Sequence, residues 1–305
     1  MPDGPGESAV VAAIRAQEDA GLEPITDGRL RDPGFERLTA ALQGGRRLAA
    51  QTVDDWRFAA GLTDRAVKQA LPGPYSLGRR TAGGLGDHEL GDGDRLRRML
   101  AIADALRREV EALVEAGCPL IEIEETEAHH IGEDGAERRL FREAHRRLAE
   151  GVTGTHLSLS IVGGSAAEAG IETIAVPYAS LAVDLVDGPD NWNLATRLPG
   201  DRGLIAGVLG SSERGDHPRE LLLWAAHYAA STGGRGVARV GLGSAGSWAN
   251  LTWAAAVGRM QRLGEAARLA SMPPGEELLR SLDPTAVSAR RAALGHDAPP
   301  RPRRR

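Results

Sequence analysis

Acidic side chains gather around one short apolar run near the middle of the chain. Glu122 and Glu124 alternate with two isoleucines, so both carboxylates would face the same side of a strand. Such a pair can act as acid and base when their environments separate the two pKa values, or can hold a substrate ammonium group. We predict Glu124 as a catalytic residue and Glu122 as a substrate-binding residue. Glu125 and Glu127 are predicted to be solvated loop charges.

A histidine and an aspartate occur in the next two apolar runs. His156 lies in the run 155–162 and Asp184 in the run 181–186. Imidazole and carboxylate are both zinc ligands, and an imidazole can also transfer protons. We predict His156 as a catalytic residue and as a metal ligand together with Asp184. The alternative for His156 is a structural histidine whose ring is satisfied by hydrogen bonds. With Glu124, these side chains should line one pocket at the carboxyl ends of the strands.

A glycine pattern of the form G-x-G-x-x-G spans Gly241–Gly246. Such a pattern binds dinucleotides when it opens a βαβ unit that carries an acidic residue about 20 residues further on. Here only helices and a tail are predicted to follow, so a tight turn is the favoured interpretation. A phosphate or carboxylate at the start of the next helix remains the alternative.

These residues must be positioned by short apolar runs that alternate with amphipathic helices. Such alternation predicts parallel strands joined by right-handed crossovers. Seven strands are predicted, at 24–28, 66–71, 120–124, 155–162, 181–186, 204–209 and 237–240. A closed barrel needs about eight strands, so the two alternatives are an incomplete barrel and an open doubly wound sheet.

Composition excludes several classes of protein. The net charge of -5 and the interspersed charges of this 305-residue chain argue against a nucleic-acid partner. No apolar stretch is long enough to cross a membrane, and a lone cysteine, Cys118, fits a reducing cytoplasm. We expect one barrel domain over 1–295 and a disordered Pro/Arg tail over 296–305, with a surface loop or lid at 83–93. The oligomeric state cannot be predicted.

Five segments together resemble the C-terminal catalytic domain of cobalamin-independent methionine synthase. They follow the order of that family and span about residues 9–270. The segments are 17–28 with its Asp-Gly turn, 71–77 with its Gly-Pro turn, 117–125 with an acidic pair, 155–158 in place of a His-x-Cys zinc motif, and 240–259 in place of the last strand and helix.

The resemblance implies a (β/α) barrel of the TIM type that lacks its first strand, because this chain begins at the first helix of the family pattern. It also implies that Asp27, Arg29 and Tyr75 contact substrate and that Glu124 holds a substrate ammonium group. Arg29 stands where the family has a glutamate, and it could either form a salt bridge with Glu124 or bind a substrate carboxylate in bidentate fashion. In both cases homocysteine would not be held in the family's manner. Ser158 and about Ala245 replace the two zinc-binding cysteines, which weakens the implied zinc site.

The function implied by the resemblance is transfer of a methyl or other one-carbon or alkyl group to a thiol or a small amino-acid-like substrate. A zinc ion and a folate-type methyl donor are the implied cofactors. The alternatives are a lyase or hydrolase on the same scaffold, or a binding protein without catalysis. They stay open because both zinc-ligand cysteines are replaced. A third zinc ligand could come instead from His129, His130 or His217.

Overall fold

The computed structural model describes residues 6–32, 34–43, 49–80, 92–210, 212 and 216–272. The segment 81–91, which contains most of the predicted loop, and the predicted tail lie outside these residues. The helices are α1 (Glu7–Asp19), α2 (Glu36–Gln43), α3 (Ala49–Ala60), α4 (Pro74–Arg80), α5 (Asp92–Glu115), α6 (Gly135–Ala149), α7 (Ile171–Ile174), α8 (Trp192–Arg197), α9 (Arg219–Ser231) and α10 (Trp253–Ala270). The strands are β1 (Lys68–Pro72), β2 (Leu120–Glu125), β3 (His156–Ile161), β4 (Ser180–Asp184), β5 (Gly203–Leu209) and β6 (Val240–Ser244).

All six strands are parallel, and they lie side by side in the order of the chain, β1 to β6. A doubly wound sheet would reverse its strand order at a switch point. The sequential order is that of a barrel, and within the described residues β6 does not pair with β1. The prediction of an incomplete barrel is therefore confirmed.

The two faces of the sheet differ in chemistry. One face carries buried apolar side chains, among them Ile121, Ile123, Leu159 and Val183, which pack against the helices in the main core. The opposite face, here called the inner face, carries mainly polar and small residues, together with Leu120 and Ile205. By alternation and register these include Lys68, Ala70, Glu122, Glu124, Ser158, Ser160, Ala182, Asp184, Gly207 and Gly243. Polar chemistry is thus concentrated on the inner face.

The structure also shows how the sheet edge beside Thr26 is satisfied among the described residues. Ile25 forms an isolated parallel bridge with Val67, so the backbone groups of the next residue, Thr26, point away from β1. The Gln17 side chain accepts from Thr26 N–H at 2.9 Å and donates to Thr26 C=O at 2.7 Å. One carboxamide therefore makes both hydrogen bonds that a neighbouring strand would supply, and it protects an exposed sheet edge.

The first and last helices of the described chain contact each other although the sheet stays open. At Gly264, in α10, an added Cβ would lie 1.7 Å from the Ala20 carbonyl oxygen at the end of α1. We expect Gly264→Ala to destabilise the protein by about 1–3 kcal/mol, because a methyl group would force the helices apart. Chemical denaturation measures this.

The matched control is Gly258→Ala in the same helix, where no atom lies within 4 Å of the added Cβ. That substitution should stabilise by about 0.5–1 kcal/mol, through helix propensity alone. Equal effects at the two positions would show that α1 and α10 are not in contact in solution.

Two further observations concern the described residues. No helix among them is both long and apolar enough to cross a membrane.

The glycine pattern 241–246 begins in β6, but α10 starts only at Trp253, where Thr252 Oγ1 accepts from Ala255 N–H. The pattern therefore does not open a helix, which argues against a dinucleotide loop, and an anion at the start of α10 stays a prediction.

Candidate functional site

Two ion pairs lie on the inner face, at the end of the sheet formed by β1 and β2. Arg29 Nη1 lies 2.8 Å from Glu124 Oε2, and Lys68 Nζ lies 2.9 Å from Glu122 Oε2. The four side chains are only partly exposed, between 13% and 24%. The two predicted carboxylates do share a face, as period-two alternation requires. Each carboxylate has its own cation, so the pair does not form an isolated negative site.

Glu124 is one of the described carboxyl groups whose pKa is raised. Burial raises the pKa of Glu124, the Arg29 guanidinium opposes this, and the charge of Glu122 adds to it. Removal of the guanidinium by a competing carboxylate would raise that pKa further. The protonation of Glu124 is therefore coupled to whatever binds Arg29.

Arg29 is held in position by a tight turn. Its backbone N–H donates to Asp27 Oδ1 at 2.8 Å, and its φ of 55° is in the left-handed region that non-glycine residues rarely adopt. The guanidinium carbon lies 4.8 Å from the centroid of the Phe35 ring. Asp27, which is 8% exposed and whose pKa is raised by burial, therefore positions Arg29. A cavity of about 40 Å³ beside Arg29 has room for about two to three waters.

Asp184 ends β4 at the carboxyl rim and is 1% exposed. Its Oδ1 accepts from the N–H groups of Val186 and Asp187, both at 2.9 Å. Its Oδ2 is buried and has no hydrogen-bond partner among the described residues. Burial raises the pKa of Asp184, partly opposed by the two backbone donors. An unsatisfied buried oxygen is costly, and it marks a place where a ligand could bind.

The raised pKa of Asp184 predicts a dependence of stability on pH. The folded state holds the proton more tightly than the unfolded chain, so stability should fall as pH rises from the ordinary value of 3.8 to the folded-state pKa. Asp184→Asn should remove this slope and raise stability near neutral pH by about 1 kcal/mol, since a neutral amide costs less to bury.

Urea unfolding over a pH series tests this expectation, with Asp201→Asn at an exposed position as the control. If Asp184→Asn were instead less stable than wild type near neutral pH, the carboxylate would have to be satisfied by a group that stabilises its charge. Higher stability of the variant would identify Asp184 as a residue kept for function rather than for folding.

His156 lies at the opposite end of the sheet from the predicted pocket. It begins β3 and pairs in register with Leu120, whereas Glu124 pairs with Ser160. Four residues of strand, about 13 Å, therefore separate the levels of His156 and Glu124. Its Nε2 makes a 2.8 Å hydrogen bond with Ser180 Oγ. The predicted convergence of His156 with Glu124 and Asp184 is wrong, because the histidine sits at the amino end of its strand.

The side chains of Tyr75 and Glu125 lie on the side of the sheet opposite to the inner face, where the helices pack. Tyr75 is fully buried, and its hydroxyl donates to Glu137 Oε2 at 2.5 Å. Glu125 is also fully buried and accepts from the backbone N–H groups of Tyr75 and Ser76. The predictions of a substrate contact for Tyr75 and of a solvated charge for Glu125 are wrong. Glu125 follows Glu124 by one residue, so it points to the other face.

The residues at the inferred zinc positions do not fit a zinc ion. Ser158 Oγ accepts from Ser180 Oγ at 2.8 Å, which continues the hydrogen-bond chain of His156. Ala245 offers no ligand atom. The one cysteine, Cys118, is buried, and burial raises the pKa of its thiol to about 11, so it is no thiolate. Among the inferred ligands only Asp184 keeps a free oxygen, and one carboxylate cannot replace three ligands.

Lys68 is a site residue that the sequence alone did not reveal. Alternation within its run indicates that Lys68 and Ala70 share a face, but only the register of β1 on β2 brings Lys68 to Glu122. In the loop after β2, two of the histidines considered as substitute zinc ligands lie beside a glutamate. Glu127, His129 and His130 have ligand atoms within 4.8 Å of one another.

Comparisons with known proteins bear on the fold. No family model matches the sequence, and no curated protein is similar to it. Among solved structures, a B12-independent methionine synthase from Shewanella sp. W3-18-1, in complex with selenomethionine, has a TM-score of 0.71 and 15% identity over 90% of this chain and 89% of that one. The chain has the barrel fold of B12-independent methionine synthase structures.

Two other solved structures agree. A candidate vitamin-B12 independent methionine synthase from Listeria monocytogenes has a TM-score of 0.67 and 15% identity, over 88% of this chain and 87% of that one. A methyltransferase from Methanosarcina mazei has a TM-score of 0.51 and 15% identity, over 72% and 62%. The fold resemblance inferred from the sequence is confirmed, and function has to be argued from the site.

Proposed function

We propose that this protein is an enzyme that transfers a methyl or other one-carbon group to a small-molecule acceptor bound on the inner face. The observation that carries the proposal is the partly buried pair of Arg29 and Glu124 on the inner face of this fold. Chemistry in such barrels takes place at the carboxyl ends of the strands. The inner-face positions on β4 to β6 include the small residues Ala182, Gly207 and Gly243 beside Ile205 and Asp184.

The two members of the pair take different roles in this reaction. The Arg29 guanidinium binds a carboxylate of the acceptor, since planar Arg and carboxylate groups pair in bidentate fashion. That contact releases Glu124, which holds a proton more tightly than a solvated carboxylate because burial raises its pKa. The acceptor thiol loses its proton to Glu124, the thiolate sulfur bonds to the methyl carbon, and the donor keeps the electron pair of the broken bond.

The solved relatives suggest the class of acceptor. The Shewanella protein holds selenomethionine, a methylated selenium analogue of a sulfur amino acid. Transferred to this chain, that ligand suggests a small sulfur compound with a carboxylate, and a folate-type molecule as methyl donor. Because Glu124 takes the thiol proton in this reaction, a compound whose ammonium group must bind Glu124 is disfavoured. We therefore expect little methionine from homocysteine and a methylfolate.

A lyase or hydrolase reaction is the second candidate. The proximity of Glu122 to Glu124, and the raised pKa of Glu124, would suit proton abstraction from one carbon and protonation of a leaving group. The poor fit of zinc to the inferred ligand positions favours this candidate over a zinc-activated thiol.

The experiment that separates the candidates uses the purified full-length protein. A methylfolate carrying a labelled methyl group is mixed with a panel of thiols with and without carboxylate or amino groups, and products are identified by mass spectrometry. A labelled thioether from a carboxylate thiol supports the proposal. Consumption of the thiol without label in the product would support the lyase or hydrolase. No change in any mixture would overturn both.

A further inference from the structure

Glu127, His129 and His130 form a compact group of ligand atoms that the proposed reaction does not use. All three follow β2 in the loop at the carboxyl rim, and their ligand atoms lie within 4.8 Å of one another. His130 Nε2 is 3.3 Å from Glu127 Oε2. The two imidazole rings lie with centroids 4.0 Å apart.

The backbone that carries this group is fixed. Ala128 and Ile131 are fully buried, and His130 N–H donates to Glu127 C=O at 3.0 Å in a short 3-10 turn. The N–H groups of Thr126 and Glu127 both donate to Ser76 Oγ, at 2.8 and 2.9 Å. The three side chains therefore start from a preorganised turn, and a bound ligand would not have to order it.

A neighbouring loop leaves room for the His129 ring. Gly164, after β3, has a φ of 141°, and an added Cβ there would lie 3.3 Å from His129 Cβ. A larger residue at this position would press on the imidazole. The space beside His129 thus depends on a glycine from a second loop.

We propose that Glu127, His129 and His130 bind a divalent first-row transition metal such as zinc. Two nitrogens and one carboxylate oxygen suit such an ion and leave a fourth position open. Bonds of about 2.0–2.2 Å place tetrahedral ligands about 3.4 Å apart, so rotations of exposed side chains suffice to close the site. The alternative is that these residues form only a surface ion pair. That explains the contact of Glu127 with His130, but it gives His129 no hydrogen-bond or ion-pair partner among the described residues.

The neighbouring charges are compatible with a cation. Arg79 lies close enough to His130 to affect it, but its guanidinium is 3.5 Å from Glu137 Oε2, which offsets its charge. The site differs from the inferred family zinc positions, which do not fit a metal. It also stands independently of methyl transfer, because it is defined by binding alone.

Zinc titration of metal-stripped, full-length protein tests the proposal, with a coloured chelator as competitor and cobalt absorption as a second readout. Wild type should bind one ion. His129→Ala and His130→Gln should each weaken binding by at least about tenfold, the least that loss of a supporting residue costs at metal sites. Both side chains are exposed, and circular dichroism should confirm folding.

Two controls locate the ion. His156→Ala, at the other end of the sheet, and Asp184→Asn, at the rim of β4, should leave zinc affinity unchanged. Equal affinity of wild type and His129→Ala would overturn the proposal. So would a loss of affinity in Asp184→Asn with none in His130→Gln, since that would place the metal at β4.

Discussion

Replacing Glu125 with alanine is expected to destabilise the protein by about 3–5 kcal/mol, because several buried donors would lose their acceptor and each unsatisfied group costs about 1–3 kcal/mol. The carboxylate is fully buried and accepts from the N–H groups of Tyr75 and Ser76, at 3.0 and 2.7 Å, and from the Ser76 hydroxyl. His145 Nε2 lies 2.9 Å from its Oε1. Alanine would leave these groups buried without their acceptor.

The same carboxylate explains the glycine at the end of β1. An added Cβ at Gly73 would lie 2.2 Å from the Glu125 carboxyl carbon, so no side chain fits there. Behind Glu125, His145 Nδ1 makes a 2.7 Å hydrogen bond with Tyr178 OH. Glu125 therefore links β2, α4 and α6 beneath the candidate site.

Urea unfolding of Glu125→Ala and Glu125→Gln measures this effect. The glutamine variant keeps one carbonyl acceptor and should lose less stability than alanine does. Glu133→Ala, at an exposed loop position, serves as the control and should change stability by less than about 0.5 kcal/mol. If Glu125→Ala were as mild as Glu133→Ala, Glu125 would be solvated, as the sequence alone suggested.

Replacing Glu124 with glutamine is expected to lower the proposed transfer rate by about 10²–10⁴-fold, the usual contribution of a general acid or base. Glutamine fills the same volume and still accepts from Arg29, but it cannot take the acceptor proton. The free energy of unfolding should also fall, because the partly buried Arg29 guanidinium keeps its charge and loses its counter-charge, so turnover is compared at a temperature where both proteins are folded. Turnover is measured with the donor and thiol identified by the labelling experiment.

Glu143→Gln on the exposed side of α6 is the matched control for Glu124→Gln and should keep full activity. Arg29→Met separates the two roles in the pair. It should raise KM for a carboxylate thiol more than it lowers kcat, because it removes binding to the acceptor rather than proton transfer. Full activity of Glu124→Gln would exclude Glu124 as the base.

The sequence predicted the placement of Glu122 and Glu124 from local information. Alternation with Ile121 and Ile123 shows that the two acids share a strand face, whichever strands lie beside them. The order of helices and strands predicted the parallel sheet, because parallel neighbours require crossover connections. It left the incomplete barrel and the doubly wound sheet as alternatives, since both begin from the same order of elements.

The sequence by itself therefore determined the class of fold and the inner-face carboxylates, and the tertiary structure decided the rest. Strand order alone separated the barrel from the doubly wound sheet. Glu125 is buried because α4 and α6 pack on the face of the sheet opposite to the inner face. The residues next to Glu125 in the sequence do not indicate that packing. The strand register fixes how far along the sheet each residue lies. A shift of four residues within one apolar run moves a side chain by about 13 Å along the strand, and this is why His156 lies far from Glu124. The Gln17 side chain makes the backbone hydrogen bonds of Thr26 because folding brings α1 to that edge of the sheet. Periodicity within one segment cannot predict which helix lies at a sheet edge.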